Sequence, residues 1–390
     1  MSPKSGPAET GYVPAFDGLR AIACLTVFLA NFHHALGMNL KGRIGPFDLT
    51  YFAESGVGVV LFMVLSGCLL SGPFWQLVRK ERQRVNWQSF ALKRALRMVP
   101  PYYACLVVLL IGSGESHSST DVIVHFLFVN NLWETSFYSF SQQFWTIGMF
   151  VQFYCLLPPL LAGVRRVTHG AGTAAAILIG IATGAYLLHL GLMLTRDRWV
   201  VWPVTVLASP NGYVIGHSTL AHLPHFVLGV AGGYFLAALR NTTAVAKGVR
   251  AALCELSFWA SFLGLMLLAS VPAADALQLP YGRYLFPWMP VLATLAIVTL
   301  PGARLASALL GVGPLRWLGI ISYGVYIYHV TCMEATMRLS RAASFDPSTM
   351  RLEFGIVSFA LTVLVAAASY VLLERPILRW SRLRDQQATA

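Results

Sequence analysis

Histidine and glutamate side chains interrupt several long apolar segments of this sequence, where an ionisable group is costly and usually serves a function. The residues that share this setting are His33, His34, His189, His222, His225, His329, Glu255 and Glu334. An imidazole can take a proton from a hydroxyl group, so one of these histidines could act as a general base. The alternative is that each histidine is a hydrogen-bonded core residue without a catalytic role.

The first apolar segment, FDGLRAIACLTVFLANFHHAL, carries its polar residues along one face. On an α-helix Asn31 lies about 20° and His34 about 40° from the direction of Arg20, whereas His33 points about 140° away. A cation beside Asp17 at one membrane face, with a base about 21 Å deeper, would suit a long anionic donor. The alternative is a pair of inert, hydrogen-bonded histidines near the far membrane face.

A basic segment lies between the second and third apolar segments, at 76–97. Its last two arginines, Arg94 and Arg97, are three residues apart and directly precede the next apolar segment. Guanidinium groups at this spacing could clamp phosphate oxygens. The competing explanation is the general excess of Lys and Arg in the cytoplasmic loops of membrane proteins.

A third polar stripe lies in the segment SYGVYIYHV. Ser322, Tyr326 and His329 follow i, i+4, i+7 spacing and therefore share one helix face. A histidine beside tyrosines inside a helix bundle could belong to a functional site, and a hydrogen-bonded core histidine is the alternative.

The composition indicates a membrane protein. Of the 390 residues 56% are hydrophobic and only 11% are charged, which is less than half the usual charge of a soluble domain. A soluble enzyme, a disordered chain and a disulfide-stabilised secreted module are therefore excluded. An apolar helix needs about 20 residues to cross a bilayer, and ten segments approach or exceed that length. They are 19–38, 55–72, 98–113, 145–164, 174–195, 220–239, 253–272, 284–301, 317–337 and 353–373.

The sequence thus predicts an all-α bundle of ten membrane-spanning helices. The apolar stretch 122–132 is short and is interpreted as re-entrant or interfacial, with an eleventh span at 122–138 left open. Basic residues orient the bundle, because short cytoplasmic loops are enriched in Lys and Arg. With both termini in the cytoplasm, 20 of the 28 Lys and Arg residues lie inside and 8 lie outside. An eleventh span would move the last four arginines outside, so the charge distribution favours ten.

This topology divides the chain into a short cytoplasmic tail at 1–18, a transmembrane domain at 19–374 and a basic cytoplasmic tail at 375–390. The net charge of +12 then lies along one membrane face, where it can contact anionic headgroups of the lipid bilayer rather than nucleic acid. All six cysteines fall within predicted spans and lack metal-ligand spacing, so neither a disulfide nor a metal site is expected.

Seven segments, taken in order, resemble a known family. They are FDGLRAIACLTVFL, GVGVVLFMVLSGCLL, LKRALRMVPPYY, FWTIGMFVQFYCLLPPLL, LPHFVLGVAGGYF, LGIISYGVYIYHV and YVLLERPILRW. Together they resemble membrane-bound acyltransferase family 3, the O-acyltransferases that modify cell-surface glycans and some secondary metabolites. The resemblance implies a multi-pass protein of the inner (plasma) membrane. It also implies transfer of an acyl group, often acetyl, from cytoplasmic acyl-CoA to a hydroxyl of a glycan or glycosylated acceptor, with no permanently bound cofactor.

The resemblance also implies roles for individual residues. Arg20 matches the family's first-span arginine, while Asn31 stands where the family has a histidine thought to act as general base. His34, which returns to the arginine face, is therefore the predicted base, with His33 as the alternative. The residues assigned to donor phosphates are Arg20, Arg94 and Arg97, and the substrate-binding or supporting residues are Asp17, Trp145, Gln152, Tyr154, Tyr323 and His329.

Three family positions hold other residues in this chain. Besides Asn31, Phe150 stands where the family often has a glutamate, and Val60 where it often has an acid. A base needs a partner that fixes its tautomer. Three possibilities follow: a shifted histidine works, another residue supplies the base, or the chain is not catalytic.

Two mechanisms and two functions are compatible with the same residues. Direct transfer is favoured over a covalent acyl-enzyme, because no lysine, serine or cysteine motif indicates such an intermediate. The alternative function is a transporter or flippase for a glycan or its acylated form. Inverted repeats or paired broken spans would favour transport, and the sequence displays neither.

Overall fold

The computed structural model describes most of the chain. The described residues are 12–37, 42–45, 47–81, 83–112, 114, 116–194, 216–240, 247–270, 288–342, 347 and 349–387. Residues 1–11 of the predicted N-terminal tail lie outside them.

Helices make up nearly all the regular structure of the described residues. In the first half of the chain they are α1 (Ala15–Ala35), α2 (Leu49–Glu54), α3 (Val57–Leu70), α4 (Gly72–Val78), α5 (Trp87–Gly112), α6 (Ser119–Phe126), α7 (Phe144–Val167) and α8 (Ala171–Leu194). In the second half they are α9 (Thr219–Arg240), α10 (Lys247–Ala269), α11 (Trp288–Thr299), α12 (Arg304–Leu310), α13 (Gly313–Ile320), α14 (Ser322–Ala342), α15 (Arg351–Ser369) and α16 (Arg375–Gln387). Two short strands, β1 (Arg43–Ile44) and β2 (Phe47–Asp48), pair antiparallel. The predicted all-α class is confirmed.

Among the described residues, eight helical segments are long and apolar enough to cross a membrane, or nine if the bent pair of α11 and α12 counts as one span. In its described residues, each of the ten predicted spans overlaps at least one helix. The predicted span 317–337 corresponds to α13 and α14. α14 is 21 residues long, but it carries Glu334 and Arg338 and is not among the apolar segments. The count of ten therefore stays a prediction.

The region left open for an eleventh span does not contain one. α6 has eight residues and is followed by single 3-10 turns at Asn130–Leu132 and Glu134–Ser136. A crossing helix needs about 20 residues, which this region does not form.

α14 lies among other helices, which explains why it can be polar. It packs against α1, α5 and α15. The Tyr323 hydroxyl donates to the Met98 carbonyl at 2.7 Å, and the Tyr328 hydroxyl donates to the Pro101 carbonyl at 3.2 Å. Two tyrosine hydroxyls of α14 thus donate hydrogen bonds to α5 rather than facing lipid.

The chain bends by 96° between α11 and α12, at the 3-10 turn Leu300–Gly302. The Glu255 carboxylate of α10 accepts hydrogen bonds from the backbone N–H groups of Leu305 and Ala306, at 2.9 and 3.0 Å. It also accepts one from the Trp259 indole N–H at 2.7 Å. Because the first N–H groups of a helix lack partners within that helix, Glu255 caps α12 from a neighbouring helix. This intramembrane acid therefore stabilises the bend.

α1 approaches α12 and α13 closely through two glycines. A Cβ at Gly18 would lie 1.9 Å from the Leu310 carbonyl oxygen, and a Cβ at Gly319 would lie 1.9 Å from the Asp17 carbonyl oxygen. Small residues at helix contacts in membrane proteins allow such close approach of two backbones. These contacts fix the position of the end of α1 that carries Arg20.

Candidate functional site

Three arginines line a cavity formed by α1, α3, α5, α7 and α14. This arginine cavity has a volume of about 270 Å³. Its basic residues are Arg20, Arg94 and Arg97, and its aromatic residues are Phe62, Phe150, Tyr154, Tyr323 and Tyr326. The structure thus brings together the three arginines and the two tyrosines, Tyr154 and Tyr323, that the sequence analysis selected.

Two buried carboxylates accompany these arginines. Asp17, which is 4% exposed, forms an ion pair with Arg20 within α1. Glu374, which is 1% exposed, ends the π-helical turn Tyr370–Glu374 and lies within electrostatic range of Arg97. The Glu374 Oε1 atom has no hydrogen-bond partner among the described residues. Three guanidinium groups against two carboxylates leave an excess of positive charge, which favours an anionic ligand.

A second and larger cavity lies farther along α1. This histidine cavity has a volume of about 1050 Å³. Its polar and aromatic residues include Asn31, His34, His117, Tyr138, Gln142, Trp145, His217, Tyr326, Glu334 and Arg338. Asn31 and His34 therefore face one cavity, while Arg20 faces the other, about 21 Å from His34 along the helix axis.

Tyr326 of α14 lines both cavities. Its hydroxyl is hydrogen-bonded to the Thr146 hydroxyl of α7 at 2.5 Å. Its ring meets the Phe62 ring edge-on, with centroids 5.9 Å apart. The two cavities thus meet at this side chain.

His33 and His34 lie in different environments. His33 is fully buried and lines neither cavity, although its ring centroid is 5.7 Å from that of His34. His34 is partly exposed and belongs to the wall of the histidine cavity. This placement agrees with the helical phase counted from Arg20.

Aromatic rings build the wall of the histidine cavity around Trp145. The Trp145 ring stacks on Phe137 at 6.0 Å and meets the His217 ring edge-on at 4.5 Å. Nearby, the His125 ring of α6 lies 4.8 Å from Phe140, another residue of the wall. Burial lowers the pKa of His125 to about 4, so this imidazole is neutral at neutral pH and supports the wall as an uncharged ring.

Gln152 and His329 of the predicted site, like His33 and Asp17, line neither cavity. Gln152 donates hydrogen bonds to the Phe128 carbonyl and to the Asn131 side-chain oxygen, at 2.8 and 2.7 Å. His329 is 1% exposed, and its Nδ1 donates to the Tyr326 carbonyl at 2.8 Å. Gln152 thus ties α7 to the turns that follow α6, and His329 packs inside the bundle.

A family model described as an acyltransferase domain matches residues 13–371. The chain belongs to this acyltransferase family. The match contains every residue that lines the two cavities. The chain is a multi-pass membrane protein, as its apolar helices also indicate.

Related sequences carry names that refer to O-acetylation. The peptidoglycan O-acetyltransferase OatA of Listeria monocytogenes is 26% identical over 382 residues, which cover 94% of this chain and 56% of that protein. The "Putative peptidoglycan O-acetyltransferase YrhL" of Bacillus subtilis is 23% identical over 388 residues, which cover 94% of this chain and 55% of that protein. The chain thus spans little more than half the length of these relatives. No solved structure matches it.

The three departures from the family pattern lie in different places. Phe150 lines the arginine cavity, Asn31 lines the histidine cavity, and Val60 is fully buried and lines neither. Carboxylates nevertheless lie at or near both cavities of this acyltransferase. Asp17 and Glu374 lie near the arginine cavity and Glu334 lines the histidine cavity, and the two glutamates come from the C-terminal part of the chain.

Glu374 is one of the residues near the cavities that the sequence analysis did not select as part of the site. It belongs to the segment YVLLERPILRW, which served there as a family signal alone. An acid directly after a long apolar span is the signal that could have drawn attention to it. Its approach to Arg97 depends on the packing of the π-helical turn against α5, which no local pattern reveals.

Proposed function

We propose that this acyltransferase moves a short acyl group, such as acetyl, from acyl-CoA at the arginine cavity to a hydroxyl of a carbohydrate in the histidine cavity. The observation that carries this proposal is the pair of cavities of different chemistry that meet at Tyr326. A transferase must bring two substrates to one point, and this arrangement gives each substrate its own approach.

The arginine cavity suits an acyl-CoA donor. Guanidinium groups bind phosphate oxygens through strong, charge-assisted hydrogen bonds, and three of them line this cavity. Small-molecule sites usually measure about 300–1,000 Å³, so a cavity of about 270 Å³ holds part of such a donor. The donor phosphates then lie near the arginines, and the narrow thioester arm extends toward Tyr326.

The histidine cavity suits a carbohydrate acceptor. The exposed Tyr138 ring offers a flat face on which a sugar ring can stack, and the Trp145 ring lines the same cavity. The amide groups of Asn31 and Gln142 can donate hydrogen bonds to hydroxyl groups and accept them. The names of the Listeria and Bacillus relatives support a glycan acceptor and an acetyl group.

The proposed chemistry is a direct transfer. His34 removes the proton of the acceptor hydroxyl while the hydroxyl oxygen attacks the carbonyl carbon of the thioester. The Tyr326 hydroxyl donates a hydrogen bond to the carbonyl oxygen as negative charge develops on it. The new C–O bond forms and the C–S bond breaks. The departing CoA thiolate then receives the proton from the His34 imidazolium.

The orientation of the two cavities follows from the distribution of basic residues. Arg20, Arg94 and Arg97 are among the 20 Lys and Arg residues on the predicted cytoplasmic side. The donor then enters from the cytoplasm, and the acceptor reaches His34 from the opposite face. The proposal includes ten spans, cytoplasmic termini and the inner (plasma) membrane.

Purified protein in liposomes provides the test. With radiolabelled acetyl-CoA and soluble peptidoglycan fragments, we expect label on the fragments and release of CoA. Arg94→Gln should weaken donor binding about tenfold, because it removes one charge-assisted partner of a phosphate. Arg166→Gln, at an exposed position of α7, should leave donor binding unchanged.

The negative result is equally specific. If the wild-type protein neither binds CoA nor cleaves short acyl thioesters, the proposed enzyme activity is wrong. Transport of a glycan across the membrane would then explain the two cavities better.

A further inference from the structure

The histidine cavity contains a carboxylate that the proposed reaction does not use. Glu334 of α14 is the one carboxylate among the described residues that line this cavity. We infer that Glu334 is a positioning residue for His34 and that, during transfer, its carboxylate accepts a hydrogen bond from the His34 ring N–H. This inference rests on the proposed function, in which His34 is the base. The contact would fix the imidazole tautomer and stabilise the imidazolium that forms during transfer.

The relative depth of α1 and α14 places the two residues at a similar level of the bundle. The Cys24 thiol lies 3.8 Å from the Ser322 carbonyl oxygen, which fixes one level that the two helices share. From Cys24 to His34 α1 rises by about 15 Å, and from Ser322 to Glu334 α14 rises by about 18 Å. Since both residues line the same cavity, a difference of about 3 Å in depth is within reach of their side chains.

Contacts farther along the helices support this register. The Phe28 and His329 rings lie 6.4 Å apart, beyond the level of the first contact on both helices. Farther still, Phe32 and Leu36 share a buried apolar cluster with Met333. The two helices therefore run in the same direction up to the level of the proposed pair.

The Glu334 carboxylate can serve as the acidic partner of a base in the histidine cavity. Phe150 stands where the resembled family often has a glutamate, and its ring lines the arginine cavity instead. A base in the histidine cavity therefore needs its acidic partner from another helix, and α14 supplies one. The other ionisable groups in the wall are His117, His217, Arg338 and the two tyrosines Tyr138 and Tyr326, none of which carries a negative charge at neutral pH to match an imidazolium.

Acyl transfer by the full chain in liposomes tests the inference. Glu334→Gln keeps the size of the side chain and removes its charge. We expect it to lower kcat roughly 100-fold, within the range that general base catalysis contributes. The KM for acetyl-CoA should stay within about twofold of wild type, because the donor binds in the other cavity. Glu334→Asp, which restores the charge, should recover part of the loss.

A double variant separates action through His34 from an independent effect. If Glu334 works through the imidazole, His34→Ala with Glu334→Gln should have the same kcat as His34→Ala alone. Arg341→Gln, an exposed change on α14 outside both cavities, is the control and should match wild type. Should Glu334→Gln not fold, Glu334→Asp replaces it, with an expected loss of about tenfold in kcat because its carboxylate is one methylene shorter.

Two outcomes would overturn the inference alone: wild-type kcat in the Glu334 variants, or losses that add to those of His34→Ala. Both outcomes can be observed only if the wild-type protein transfers label to the acceptor. Absence of transfer by wild type in the same liposomes would instead contradict the proposed function, and the inference with it.

Discussion

At the scale of single residues, α1 shows how far helical geometry leads from sequence alone. A turn of about 100° per residue predicted that Arg20, Asn31 and His34 share a face, and these side chains line the two cavities. Glu334 and Glu374 could not be placed beside them in this way. They come from the other end of the chain, and their approach depends on how α14 and the π-helical turn pack.

The two adjacent histidines permit a matched comparison. His34→Ala should lower acyl transfer about 100-fold or more, because it removes the proposed base from the cavity wall. His33→Ala should leave kcat per folded molecule near wild type, since His33 lines neither cavity. The measurement is kcat normalised to the monodisperse fraction in detergent. Full activity of His34→Ala, or a loss of kcat in His33→Ala instead, would show that His34 is not the base.

At the scale of elements, the lengths of the apolar segments predicted where helices occur. They did not predict how the chain connects α11 to α14. The segments 284–301 and 317–337 were predicted as spans, and no helix was predicted between them. The structure instead has α12 and α13 there, after a bend of 96°. The bend depends on Glu255, a residue of α10 that is distant in sequence, so hydropathy within a window cannot reveal it.

Removal of the Glu255 cap on α12 should lower the stability of the folded protein. Glu255→Ala leaves the N–H groups of Leu305 and Ala306 without their acceptor, at a cost of about 2 kcal/mol. We expect a lower unfolding temperature in detergent, followed by loss of the monodisperse peak on heating. Glu353→Ala, an exposed acid in the first turn of α15, is the control and should change stability by less than about 1 kcal/mol. Equal unfolding temperatures for the two variants would show that the cap does not hold the bend.

At the scale of the whole molecule, the bias of Lys and Arg predicts which face of the bundle lies in the cytoplasm. The all-α class and the family follow from composition and motif order, because both are spread over the entire chain. The number of spans is less accessible to hydropathy. α14 packs among other helices and therefore does not need the apolar surface by which a span is recognised.

Chemical labelling tests both the orientation and the crossing of α14. Single cysteines at the exposed positions Arg304 and Arg341, introduced into a chain with Cys155→Ser, should lie on opposite sides of the membrane. In intact cells a membrane-impermeant maleimide should label Arg341→Cys and should reach Arg304→Cys only after permeabilisation. Labelling of both from one side would contradict the crossing of α14, and the reverse pattern would invert the predicted topology.

Steady-state kinetics with both substrates varied addresses the central claim, that donor and acceptor occupy different cavities. Arg97→Gln should raise the KM for acetyl-CoA about tenfold and leave the acceptor KM unchanged, because Arg97 lines the arginine cavity. Tyr138→Ala should raise the acceptor KM about fivefold and leave the donor KM unchanged, because it removes an exposed ring of the histidine cavity. Separate sites for the two substrates would be contradicted if Arg97→Gln raised the acceptor KM and Tyr138→Ala raised the donor KM. Equal changes of both KM values in each variant would also contradict them.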